Sequence, residues 1–236
     1  MRLATVLFCL GVTAAFGETL PERRPALVGS GADSLVNLID TQGLMQKGQR
    51  DAWVMFRCVV GPDGKVGEVL TFRVSPEAEL LKHEVSRTLR KARFIAPVNK
   101  HHWTYASVSG TVIFFISKGQ PRLRVYENQE MDELKRGSDF IAPQPVYVPN
   151  SPPSLVSYPG HADSLSTPGT VTLRHSVDAN GKTTDVKVVK ETPAGEHFGD
   201  AALAAVREID FLPAYRNGKP TASTLTVDFR FLVPGR

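Results

Sequence analysis

From Trp53 to Val60 apolar residues take alternate positions: Val54, Phe56, Cys58 and Val60. That period of two predicts a strand with one face buried. Gly61-Pro62-Asp63-Gly64 follows, and an Asp-Gly pair between two alternating runs predicts a hairpin, with a return strand over Gly67 to Val74. Ser75-Pro76 then predicts a helix start, a polar cap followed by proline at the first helical position. Leu81, Val85, Leu89 and Ala92 fall on one helix face, and Phe94-Ile95-Ala96-Pro97 ends the run. After a loop bearing His, Trp and Tyr, Val108, Gly110, Val112, Phe114 and Ile116 alternate as a third strand.

The pattern returns further along the chain at a constant offset of 117 residues. Val171, Leu173, His175 and Val177 correspond to Val54, Phe56, Cys58 and Val60. The turn glycines Gly64 and Gly181 coincide, as do Lys65 with Lys182 and Pro76 with Pro193. Leu81 matches Phe198, Val85 matches Ala202, Leu89 matches Val206, and Phe94 matches Phe211. The second run closes on the alternating stretch TLTVDFRF. A period this long reads as a domain duplication rather than a solenoid. The expected fold is therefore α+β: two tandem β-β-α-β units, each a three-stranded antiparallel sheet with a helix on one face. The expected division is residues 51–117 for the first unit and 155–236 for the second.

The remaining segments read differently. Residues 18–50 form a lead-in, with a short helix expected over Ser34 to Leu44. Residues 118–154 read as a linker. Its first part, RLRVYENQEMDELKRGSDF, is highly charged and is a candidate short helix. The prolines beyond it, at 143, 145, 149, 152, 153 and 159, favour an extended, semi-rigid spacer. Residues 1–17 read as a secretory signal peptide: Arg2, then the apolar run Leu3 to Phe16, then small residues where a peptidase cuts. The run is short for a bilayer crossing, which takes about 20 residues. The chain is thus expected in the periplasm, the alternative being a single inner-membrane anchor facing that compartment.

Composition changes this picture little. The 236 residues are 42% hydrophobic and 22% charged, with a net charge of +4. The basic residues are spread out; the densest group, Arg87, Arg90, Lys91 and Arg93, suits the last turn of a helix, where positive charge complements the dipole. No nucleic-acid partner is expected. With Cys9 removed, Cys58 is a single cysteine unable to form an internal disulfide, and its strand position makes it a small buried hydrophobe.

Candidate chemistry is sparse. His83, His161, His175 and His197 show no ligand spacing, and His101-His102 are adjacent, so no metal site and no cofactor is expected. His175 stands at an inward position and reads as a buried, hydrogen-bonded histidine. Asp63 and Asp178 flank turns, where such side chains bond their own backbone. There is no nucleophile elbow, phosphate loop or dinucleotide fingerprint, so neither catalysis nor a small-molecule substrate is expected. Trp53, Trp103 and Tyr105 sit at strand edges as candidate core lids or a contact surface; Lys187 and Lys190 read as a solvated face.

Tyr158-Pro159, Gly169, Val171, Asn180-Gly181, Ala201-Ala202, Phe211, Pro213 and Gly218, in this order and spacing, resemble the C-terminal domain of the TonB family. The resemblance covers about residues 155–233 well and 51–117 more loosely. It implies a periplasmic, non-catalytic protein-binding domain associated with TonB-dependent transport across the outer membrane. Its implied partners are outer-membrane receptors or other envelope proteins, gripped by adding a receptor segment as a strand to the sheet. The edge residues it points to are Ser223, Thr224, Leu225, Thr226, Val227, Asp228 and Phe229, helped by the Tyr158-Pro159 approach. The apolar N-terminal run holds no histidine, and the long spacer lies between two units. A periplasmic scaffold or binding protein that keeps the fold without energy coupling is therefore the alternative. Sheets this small are also open to strand exchange into homodimers.

Overall fold

The computed structural model describes residues 19–149 and 168–231. The signal-peptide segment and the Tyr158-Pro159 dipeptide lie outside the described residues. In chain order the elements begin with β1 (Arg23–Arg24), β2 (Leu27–Val28), α1 (Leu35–Leu38), α2 (Thr41–Gln46), β3 (Ala52–Val60), β4 (Val66–Val74) and α3 (Glu79–Leu89). Then come β5 (Phe94–Ile95), β6 (Val98–Asn99), β7 (His102–Trp103), β8 (Tyr105–Ser117), β9 (Gln120–Tyr126), α4 (Met131–Arg136) and β10 (Gln144–Tyr147). The rest are β11 (Gly169–Val177), β12 (Thr183–Thr192), α5 (Phe198–Glu208), β13 (Phe211–Leu212), β14 (Ala214–Arg216), β15 (Lys219–Thr221) and β16 (Ser223–Phe231). The protein is a mixed structure of antiparallel sheets with a few helices, as an α+β fold requires.

The two alternating regions form matching hairpins. β3 pairs β4 and, on its other side, β8; β11 pairs β12 and β16. The ladder from Ala52↔Phe114 to Val60↔Ala106 has its counterpart, 117 residues on in both strands, from Gly169↔Phe231 to Val177↔Ser223. The register shifts also coincide, between Met55/Phe56 and Cys58/Val60 in one hairpin and Thr172/Leu173 and His175/Val177 in the other. The same offset relates the short pairs Val28↔Phe94 and Pro145↔Phe211, and Val98↔Trp103 and Tyr215↔Pro220. Gly64 (φ 76°) and Gly181 (φ 80°) close the two hairpin turns in the left-handed region, each against a Phe carbonyl, Phe94 or Phe211, that leaves no room for a Cβ.

Alternation explains which faces are buried. Val54, Phe56, Cys58 and Val60 turn inward on β3, with Leu81, Val85 and Leu89 of α3 against them. Val171 and Leu173 of β11 meet Phe198, Ala202 and Val206 of α5 in a second, smaller core. Each fully buried Leu or Phe among these contributes roughly 1.5–3 kcal/mol. Lys187 and Lys190 are exposed, as expected of a solvated face.

Several local expectations change. Ser75-Pro76 does not start the helix: α3 begins at Glu79, and the Ser75 hydroxyl instead accepts from the Trp53 N–H at 2.9 Å. The lead-in makes two short helices rather than one, because Asp40 caps a new turn by accepting from the Gly43 N–H. Trp103 is no core lid: it is 48% exposed, with the Arg24 guanidinium 5.4 Å from its ring centroid. Tyr105 is exposed as well, and Trp53 is half-buried.

The described part of the expected linker, residues 118–149, is built into the sheet. RLRVY belongs to strand β9, and only MDELKR is helical. β10 pairs both β8 and β13, so the first sheet has six strands rather than three and runs into the second half of the chain. Side chains tighten this joint. The Gln144 side chain accepts from the Ala26 N–H at 2.7 Å and donates to the Ala26 carbonyl at 2.9 Å. Arg23 donates to Asp210 at 2.7 Å, and Arg216 donates to Glu133 at 2.9 Å.

Candidate partner-binding edge

β16 is a strand because Leu225, Val227, Phe229 and Phe231 alternate with Thr224, Thr226, Asp228 and Arg230. Branched and aromatic side chains favour the pleated backbone. Its ladder to β11 is unbroken over nine residue pairs. On the outer face the Thr172 hydroxyl donates to Asp228 at 2.8 Å, and the Ser176 and Thr224 hydroxyls share a hydrogen bond of 2.9 Å. These cross-strand pairs hold the register. At the strand's end Phe231 packs on Phe198, ring centroids 4.9 Å apart. Gly169, directly across from Phe231, leaves space for that stack: a Cβ there would lie 2.6 Å from the Phe198 ring.

The sheet order β12-β11-β16 leaves the outer side of β16 without a strand among the described residues. All seven of its expected contact residues, Ser223 to Phe229, therefore lie along one free edge. Tyr158 and Pro159, expected beside it, fall outside the described residues. The inward row of the edge is only half covered: Leu225, Val227 and Phe229 are intermediate in exposure. Unpaired N–H and C=O groups beside such an apolar row form a template for another strand.

Among the described residues β12 is the other edge without a strand beside it, and it is less suited to pairing. Two register shifts interrupt it, and Asp185, Lys187 and Lys190 line it, with Lys187 paired to Asp185 at 3.3 Å. Bulges and charges are the features that discourage pairing at an edge.

Two groups with possible chemistry, His175 and Cys58, are buried in the strands. His175 is buried in β11 as expected, but neither ring nitrogen has a hydrogen-bond partner among the described residues. Its ring lies against Phe211 at 5.3 Å, and burial pushes its pKa down, favouring the uncharged ring. Cys58 is buried and free; burial, then the neighbouring Glu127 charge, pushes its thiol up to about 12. No group of three or more His, Cys, Asp or Glu able to hold a metal ion occurs among the described residues.

Sequence reasoning missed Glu127. Burial pushes its carboxyl up to about 8, against hydrogen bonds from the Val28 N–H and the Gln144 amide. It lies in a charged run, and nothing local marks it as buried; only the meeting of β2, β9 and β10 encloses it. Asp210 lies just beyond α5. Although burial opposes it, hydrogen bonds from Arg23, Asn99 and Lys100 hold Asp210 below the usual carboxylate range. Hydrogen bonds from Arg216 and Ser138 hold Glu133 down to about 2. These groups serve the joint between the halves.

Residues 154–233 match the family described as the C-terminal domain of the TonB protein of Gram-negative bacteria. The match spans β11 to β16 and so contains the whole free edge. The family is a non-enzymatic, transport-associated domain of the cell envelope. No curated protein matches the chain. Among the described residues no helix is long and apolar enough to cross a membrane.

Proposed function

We propose that the chain is a TonB-like envelope protein that binds a partner protein by strand addition at β16, in association with TonB-dependent transport across the outer membrane. The observation that carries the reading is the unbroken, half-covered β16 edge within the segment that matches the family. The partner is an extended segment of an outer-membrane receptor or another envelope protein. Recognition through main-chain hydrogen bonds and an apolar row needs neither cofactor nor catalysis.

The chain carries two tandem copies of this unit, the first more divergent and centred on residues 51–117, the second on 155–236. Support comes from the 117-residue offset, which holds in both ladders, both pairs of register shifts and the short flanking strands. Residues 1–17 export the protein to the periplasm. The shortness of the Leu3–Phe16 run favours a second form of this reading, a periplasmic scaffold that binds partners without energy coupling.

A photo-reactive side chain tests the edge. Placed at exposed Thr226, it is expected to cross-link the chain to an outer-membrane receptor in intact cells. Placed at Lys187 on β12, it is expected not to. Cross-linking from position 187 and not from 226 would move the contact to the wrong edge and refute the proposal. The N-terminal residue of the protein recovered from cell fractions separates the two forms: a start near Glu18 in the soluble periplasm favours the scaffold, an intact Met1 in the inner membrane the transducer.

A further inference from the structure

The two halves differ at one place that matters for binding. β8 stands in the first half where β16 stands in the second, at the same register on its central strand. The outer side of β8 is already filled by the chain itself. β9 pairs it antiparallel from Thr111↔Tyr126 to Ser117↔Gln120. β10 pairs its other end at Tyr105 and Ala106. Between the two, the Gln129 side chain donates to the Gly110 carbonyl at 3.3 Å and the Thr111 hydroxyl donates to the Asn128 carbonyl at 2.8 Å.

The apolar rows record the consequence. Val108, Val112 and Phe114 of β8 are each 0% exposed. Their counterparts Leu225, Phe229 and Phe231 sit on the same face of β16, and the first two remain partly open. The cover on β8 includes alternate residues of β9: Pro121 is buried, and Leu123 and Val125 pack on the core, while Arg122 and Arg124 point outward. β9 thus shows what this edge accepts when it is filled: an extended strand with an apolar residue at every second position and basic residues between them.

We propose that the chain offers one strand-accepting edge, not two. The first half is sealed by its own β9 and β10, and the segment taken up by β16 is β9-like, extended and apolar at alternate residues. This rests on the reading of β16 as a strand-addition site and specifies both the number of partners and their pattern.

The test uses the full chain, amide hydrogen exchange and a synthetic peptide of the β9 sequence QPRLRVY. A control peptide has the Leu and Val replaced by Asp, and a third probe is an extended N-terminal segment of an outer-membrane receptor. In the free chain, β8 amides are expected to exchange slowly and the outward amides of β16 fast. The β9 peptide is expected to slow β16 at one peptide per chain, and the Asp-substituted peptide to leave it unchanged. The proposal is overturned if β16 is as protected as β8 before any peptide is added, because the chain then covers it too. It is also overturned by two peptides per chain, by equal binding of the control peptide, or by a receptor segment that protects β16 where the β9 peptide does not. If neither the β9 peptide nor the receptor segment touches β16, the strand-addition reading fails as well.

Discussion

Glu127→Gln tests the physics of a buried carboxyl. In the fold the carboxyl is protonated up to about pH 8. In the unfolded chain it ionises at the ordinary glutamate value of about 4.5. A raised carboxyl contributes its stability fully below pH 4.5, and that contribution is lost as pH climbs towards 8. Between those limits the unfolded chain has released the proton and the fold has kept it, so stability falls by about 1.4 kcal/mol per pH unit. At pH 7 the accumulated loss is on the order of 3 kcal/mol, a large share of the roughly 5–15 kcal/mol of a typical domain. Glutamine keeps the shape and still offers the Val28 N–H an acceptor, but it does not titrate. Urea unfolding of both proteins at pH 5, 6, 7 and 8 reads the difference, in which the contributions of all other groups cancel. The variant is expected to gain on the wild type by about 1.4 kcal/mol with each pH unit from 5 to 7. Parallel curves, with a constant difference across the range, would refute the claim that Glu127 is buried as the neutral acid.

Three further outcomes follow from the cores and the edge. His175→Leu removes two ring nitrogens that have no partner among the described residues, and should raise the urea midpoint by an amount equivalent to about 1–3 kcal/mol; a loss of stability would show that the imidazole is hydrogen-bonded. Gly169→Ala places a methyl 2.6 Å from the Phe198 ring and should cost about 1–3 kcal/mol, with disturbed Phe198 and Phe231 resonances in NMR spectra. Cys58 should resist thiol reagents at pH 8 until denaturant is added, because the group is buried and its thiol is held up to about 12; peptide mapping of rapid modification at Cys58 in the native protein would contradict this.

Much of the fold is legible in local pattern. The alternation of Val54 to Val60 and of Val171 to Val177 marks two strands and their inward faces, and the Asp-Gly and Asn-Gly pairs mark two hairpins. β16 is legible for the same reason. The helix starts are less so: Ser75-Pro76 carries the composition of a cap, but its hydroxyl is drawn to Trp53 across the hairpin. β9 escaped because five residues with two arginines show a period too short to separate a strand from a charged helix. Its partner β8 decides the matter.

The sequence by itself determined which residues of each strand turn inward, where the chain turns, and that one pattern occurs twice, since a period of two or of 3.6 is a local property of the backbone. It could not determine which sheet edges are filled. Tyr105–Ser117 and Ser223–Phe231 are both strands of alternating pattern, yet β9 and β10 close the first and no described strand closes the second. Nor could it set the charge of Glu127, which depends on burial by distant segments of the chain, those carrying Val28 and Gln144 among them. Edge pairing and burial of a carboxyl are settled by neighbours far apart in sequence, and only the tertiary structure brings those neighbours together.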